Sequence, residues 1–228
     1  MGFSIYSMYQ IFARIVVLFT SMPVHEYAHG WMAHKLGDDT AYQQGRLDLN
    51  PLAHLDPLGT ILLLFTGFGW ARPVPVQPHR FNRKISMRAG VALTSLAGPA
   101  ANLLLALIIM VVYKLFAVAV IATGATITMP LGIVAEILSM MVSINVGLAV
   151  FNLLPIPPLD GFNIFSYFLP AKWEYTIAQY SRYLPMILLV IVMGTPLLDW
   201  PLSFLSGLIY RLLDFATGWV NLIARFIL

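Results

Sequence analysis

His25 and His29 stand four residues apart with Glu26 between them, in the run His25-Glu26-Tyr27-Ala28-His29. On a helix this spacing puts both imidazoles on one face, where they can share a metal ion, with a carboxylate beside them to move a proton. The chemistry that such a set performs is metal-assisted hydrolysis, with zinc as the metal. A lone histidine in an apolar segment often does no more than bond a neighbour or a backbone carbonyl. With 5 His in the chain and Glu found at positions 26, 136 and 174, a chance His-Glu-x-x-His is improbable.

The stretch that must position these residues is apolar. Residues 5–36 form a run longer than the hydrocarbon core of a bilayer at the helical rise of about 1.5 Å per residue. Pro23, two residues before His25, predicts a kink or an opened backbone where the motif begins. Hydrophobic residues make up 59% of the 228 positions and charged residues 10%, with a mean hydropathy of +0.81. This is the composition of a polytopic membrane protein, with space for about half a dozen spans of about 20 residues and none for a separate soluble domain. With 0 Cys there is no disulfide or thiolate chemistry, so any metal must be held by His, Asp or Glu. The net charge of +3 is modest and gives no nucleic-acid surface. The first basic residue, Arg14, lies inside the apolar run, so a cleaved signal peptide is not expected.

Residues 37–56 are more polar. Gly37-Asp38-Asp39 stops the first helix, and residues 41–50 suit a short strand. Residues 57–70 are apolar but too short to span comfortably, and read as a re-entrant or interfacial segment. The alternating prolines of Arg72-Pro-Val-Pro-Val-Gln-Pro78 force an extended backbone, which could form only a protected edge strand. Residues 72–90 contain Arg72, Arg80, Arg83, Lys84 and Arg88 and no acid, which makes this loop cytoplasmic by the positive-inside rule. Further apolar runs cover residues 89–122, 131–154, 183–198 and 202–227. Arg211 and Asp214 allow the last to be an interfacial amphipathic helix instead. Threading outward and back from the basic loop puts His25 and His29 in the inner half of the membrane and residues after 154 on the cytoplasmic side.

A catalytic zinc takes three protein ligands and leaves one position for water, so two histidines leave one ligand missing. Asp160, in Asn152-Leu-Leu-Pro-Ile-Pro-Pro-Leu-Asp160-Gly161, is one of few carboxylates and arrives at the same membrane face as the histidines. The prolines break the helix and allow a side chain to be aimed inward. An Asp-Gly pair also suits a solvent-exposed turn.

His25-Glu-Tyr-Ala-His29 together with Asn152 to Gly161 resembles the site-2 protease family of intramembrane zinc metalloproteases, which join His-Glu-x-x-His in one helix to Asn-x-x-Pro-x-x-x-Leu-Asp-Gly in a later one. Gly45-Arg-Leu-Asp-Leu-Asn50 to Gly59, Gly69-Trp-Ala-Arg-Pro-Val-Pro-Val and Ala97-Gly98-Pro99-Ala-Ala-Asn102 agree with it. The likeness covers about residues 10–170 and is to short prokaryotic-type members without a PDZ or nucleotide-sensing domain. It implies an all-α polytopic membrane protein with roughly five to six transmembrane or re-entrant segments and a small membrane-embedded β element near residues 41–49 and 71–77. Residues 1–170 would be the catalytic core, and 171–228 C-terminal helices with a gating or structural role.

The implied activity is zinc-dependent endopeptidase cleavage in or next to transmembrane segments, as in regulated intramembrane proteolysis. His25, His29 and Asp160 would hold zinc, and Glu26 would accept the proton of the attacking water and pass it to the leaving amine. Asn152 and Asn102 are candidates for contact with substrate or oxyanion, though buried Asn also serves to hydrogen-bond one membrane helix to another. His54 is either an auxiliary site residue or an interfacial loop histidine. The partners would be a transmembrane protein substrate and membrane lipid, with no nucleic acid. The location would be a prokaryotic cell (inner) membrane, multi-pass, with the active site towards the cytoplasm. Two rivals are a zinc transporter, for which the outer halves of the helices offer little beyond Lys114 and Glu136, and an inactive relative, which an altered Glu26 would have signalled.

Overall fold

The computed structural model describes residues 11–12, 14–66, 69–126, 128–180 and 183–227. The start of the first apolar run, residues 5–10, lies outside the described residues. From Arg14 the chain is helical, and it widens into a π-helical turn over Val17–Ser21 before helix α1, Met22–Lys35. The disturbance expected at Pro23 takes this form: proline has no N–H for the preceding turn, so the ladder there slips to wider spacing. Helix α1 stops where the N–H groups of Gly37 and Asp38 turn back to the His34 and Ala33 carbonyls, at 3.0 and 2.9 Å.

Residues 41–50, expected as a strand, instead begin within a single helical turn, Thr40–Gln43, closed by Arg46 N–H on the Ala41 carbonyl at 2.8 Å. Helix α2, Pro57–Thr66, has 10 residues and so a length of about 15 Å, half a hydrocarbon core. Leu55 and Ala71 form an isolated antiparallel bridge, and among the described residues no strand forms. The membrane-embedded β element is therefore corrected to an extended segment, residues 71–77. Pro73 and Pro75 remove donors that a ladder would use. The N–H groups of Val74 and Gln77 go to side chains, Glu26 Oε2 at 2.9 Å and Asp38 Oδ2 at 2.6 Å.

Helix α3, Met87–Ala122, begins at Ser86, whose Oγ accepts from the Ala89 N–H at 3.2 Å. Helix α4 is Met129–Asn152. It is followed by α5, Asp160–Ser166; α6, Ala171–Tyr180; α7, Leu184–Gly194; α8, Asp199–Ala216; and α9, Trp219–Ile227. Among the described residues, α3 and α4 are long and apolar enough to cross a membrane. A third span arises if α7 and α8, which meet at 85°, count as one. The expected five to six segments are not reached by this measure, because Gly194-Thr195-Pro196 breaks the C-terminal apolar run and the π turn interrupts the first.

Ala106 and Ile109 of α3, Val142, Val146 and Val150 of α4 and Leu213 of α8 form the largest buried apolar cluster. Lys114 of α3 pairs with Asp214 of α8 at 2.6 Å. Leu104, Ile108 and Val112, four residues apart along α3, are exposed on its outer face. In water this stripe would be a liability; against lipid it is the solvent-facing side.

Candidate active site

His25 and His29 project from one face of α1 towards α3, their Nε2 atoms 3.0 Å apart. Gly98 makes that approach possible, since a Cβ there would collide with both rings. His29 Nδ1 lies 2.7 Å from the Thr94 carbonyl, which can only accept, so Nδ1 carries the hydrogen and Nε2 keeps its lone pair. His25 Nδ1 lies 2.6 Å from Asn102 Oδ1, with the same consequence. Asn102 is fully buried; its Nδ2 donates to the Ser21 carbonyl at 3.2 Å and to Asn145 Oδ1 at 3.0 Å.

The third group comes from the break after α4. Leu154 and Leu159 pack with Leu188 of α7 and hold residues 153–159 against the helices. Asp160 then opens α5, and Gly161 has to be glycine because a Cβ would strike the carbonyls of Leu153 and Leu154. Asn163 Nδ2 donates to Ser95 Oγ of α3 at 3.0 Å, and Arg88 donates to the carbonyls of Ser166 and Leu169, tying α5 down. Asp160 Oδ2 thus sits 3.2 Å from His25 Nε2 and 3.3 Å from His29 Nε2.

Asp160 Oδ2 is buried and has no hydrogen-bond partner. With both imidazoles neutral, the two lone pairs and this oxygen converge on one point, which is repulsive until a cation, a proton or a metal ion, sits among them. Tetrahedral donors about 2.0–2.1 Å from a zinc ion stand about 3.3 Å from one another, close to the spacing here. His25, His29 and Asp160 are a group that could hold a metal, and the donor set suits zinc.

A cavity of about 800 Å³ opens over these atoms. Met22, Trp70, Val74, Val76, Leu148, Phe151 and Leu189 supply much of an apolar lining, into which Glu26, Asn152 and Asn163 bring polar groups. Across it from α3 runs the extended segment 71–77. Arg46 Nη2 donates to the carbonyls of Arg72 and Pro73, at 2.8 and 3.3 Å. Burial pushes the Arg46 guanidinium below its usual range, the Arg72 charge adds to this, and Glu26 opposes it.

The structure brings His25, Glu26, His29, Asp160 and Asn152 to the cavity, and Asn152 Nδ2 donates to the Leu148 carbonyl at 3.0 Å. Two of the candidates lie outside the cavity lining. Asn102 does not reach the cavity for an oxyanion; it is buried behind His25. His54 is 1% exposed and not among the residues lining the cavity, with Nε2 2.6 Å from the Asp48 carbonyl, a contact that ties down its loop. Asn145, Asn163 and the Thr94 carbonyl escaped the sequence reading. Asn145 carried the signal that marked Asn152, an amide in an apolar helix two turns away.

Comparison with known proteins decides the family. The model of peptidase family M50 matches residues 60–193. The chain belongs to this family, the site-2 proteases. It is 42% identical over 197 residues to "Putative zinc metalloprotease YwhC" of Bacillus subtilis, covering 82% of this chain and 84% of that protein. "Putative zinc metalloprotease Rip2" of Mycolicibacterium smegmatis is 28% identical over 205 residues, covering 86% and 71%, and Rip2 of Mycobacterium tuberculosis strain H37Rv is 28% identical over 201. No solved structure gives a significant match. This M50 chain is a zinc metalloprotease of the membrane.

Proposed function

We propose that the protein is an intramembrane endopeptidase that cuts peptide bonds in or beside the transmembrane segments of other membrane proteins. The observation that carries this reading is the convergence of three potential metal-ligand atoms with Glu26 at a largely apolar cavity among membrane helices. His25 Nε2, His29 Nε2 and Asp160 Oδ2 are the atoms that would hold zinc. Bound there, zinc makes water a competent nucleophile near neutral pH and polarises the scissile carbonyl. Glu26 is the general base: with Oε2 held by the Val74 N–H, its carboxylate keeps one orientation, takes the proton of the attacking water and delivers it to the leaving nitrogen. The apolar lining receives substrate side chains that were in lipid, and Asn152 and Asn163 are the amides available to its polar backbone. Residues 1–170 form the catalytic core, and the helices beyond it close the cavity through α7. The five basic residues within 72–90 support a site open to the cytoplasmic side of a bacterial membrane.

Glu26→Gln tests the assignment. Cleavage should fall by about 10²–10⁴ while bound zinc is unchanged, because the base alone is lost. Comparing the membrane proteomes of cells carrying the wild type and Glu26→Gln should show single-span fragments that vanish in the variant. Undiminished proteolysis by Glu26→Gln would sink the mechanism.

A further inference from the structure

The two histidines are held by different kinds of acceptor. His29 leans on a main-chain carbonyl, Thr94, which cannot turn round. His25 leans on the amide of Asn102, whose oxygen and nitrogen ends would exchange places on a half-turn. If the nitrogen end faced His25, the ring would have to offer it an acceptor at Nδ1 and carry its hydrogen at Nε2, which abolishes the lone pair needed at the metal. Something must therefore lock the amide.

The lock is visible on α4. The Met141 carbonyl can only accept, so the end of Asn145 that lies 2.8 Å from it is Nδ2, and Oδ1 faces Asn102. That oxygen, 3.0 Å away, and the Ser21 carbonyl, 3.2 Å away, both call for a donor, which fixes Asn102 Nδ2 towards them and Oδ1 towards His25. Asn102 and Asn145 are both fully buried, so no water competes for these contacts. We propose that Asn145 is a positioning residue for the metal site, acting through Asn102 to keep His25 in the tautomer that presents Nε2 to zinc. This rests on His25 being a zinc ligand, as proposed above.

The bland alternative is that Asn145 merely joins α3 to α4, and zinc affinity separates the two. Full-length protein in detergent is titrated with zinc against a competing chelator, and the melting of the zinc-free protein is followed in parallel. Asn102→Leu should weaken zinc binding up to about 100-fold and Asn145→Leu about 10-fold, the range for partners that orient a metal-ligating histidine. The double variant should bind no more weakly than Asn102→Leu, because Asn145 acts only through Asn102. Asn145→Ser is too short to reach and should behave like Leu, and it serves if the Leu variant does not fold.

Unchanged zinc affinity in Asn145→Leu or Asn145→Ser, or effects that multiply in the double variant, would overturn the proposal. His25→Ala calibrates the reading beneath it. Zinc lost by His25→Ala but kept by Asn145→Leu removes the relay alone, whereas zinc kept by His25→Ala removes the metal-site assignment itself.

Discussion

The two walls of the cavity solve opposite problems. On the α1, α3, α4 and α5 side the backbone is largely helical and satisfies itself, so side-chain amides are free to orient ligands, as Asn102 and Asn145 do behind His25. On the side of residues 71–77 the backbone is extended without a neighbouring strand, so charged side chains must satisfy it: Glu26 and Asp38 accept from Val74 and Gln77, while Arg46 donates to Arg72 and Pro73. Polar residues on the first wall are placed where they could hold a metal, and those on the second hold a shape. Glu26 belongs to both, next to His25 in sequence and bonded to the extended segment. Substitutions should therefore separate, with zinc content lost from one wall and cleavage lost with zinc retained from the other.

The largest effect is expected from Asp160→Ala. It removes one of three donor atoms and leaves the two Nε2 lone pairs facing each other, so zinc per protein should fall towards zero. Several kcal/mol of transition-state stabilisation go with the metal, which at tenfold per 1.36 kcal/mol lowers cleavage by at least about a thousandfold. Metal analysis of the purified variant beside a cleavage assay checks it. Full zinc occupancy without Asp160 would move the third ligand elsewhere and undo the division between the walls.

How far the sequence carries depends on what kind of residue does the work. His25, Glu26, His29 and Asp160 are legible because ionisable side chains are scarce in this chain and helical spacing alone brings the histidines together. Asn145 and Asn102 are not legible in their roles, because an amide in an apolar helix finds its partner through the register between α3 and α4, which no local pattern encodes. The long helices α3 and α4 follow from uninterrupted apolar runs. The strand reading of residues 41–50 fails because it weighs local propensity alone. Tertiary contacts decide there: Asp38, buried beneath, binds the Thr40 N–H at 3.0 Å and helps set Thr40–Gln43 as a helical turn. His54 leaves two readings open in the sequence, an auxiliary site residue or a loop histidine, and what bears on the choice, its Nε2 against the Asp48 carbonyl, is a tertiary contact.

A smaller effect, and the sharper test of the second wall, comes from Asp38→Ala. Asp38 is fully buried and accepts from Thr40 N–H, Thr40 Oγ1 and Gln77 N–H, so its loss strands three donors. At about 1–3 kcal/mol for a buried group left unsatisfied, the variant should lose about 2–4 kcal/mol of stability after partial relaxation. Zinc binding should persist, and cleavage should fall because the extended segment no longer faces the metal squarely. A melting curve, a zinc titration and a cleavage assay on one preparation would check all three. Loss of zinc in step with activity would mean that the two walls are not separable.

The smallest effect should come from Arg46→Met, which keeps the length and apolar stem of the side chain but removes the donor to the Arg72 and Pro73 carbonyls. These carbonyls lie on a segment still tied by Arg72 N–H to the His54 carbonyl at 2.8 Å, by Val74 to Glu26 and by Gln77 to Asp38, so the segment should loosen rather than detach. A penalty of about 1–2 kcal/mol follows from one lost charge-assisted donor, offset in part because a buried guanidinium no longer has to be desolvated. The kinetic signature should be a raised KM with a nearly unchanged kcat, since the base and the metal ligands stay in place while the wall facing the substrate becomes less ordered. Arg46→Lys, which retains one donor, should lie between the two. A fall in kcat at constant KM would instead mean that Arg46 acts on Glu26 directly, and the second wall would then take part in the chemistry as well as in holding its own shape.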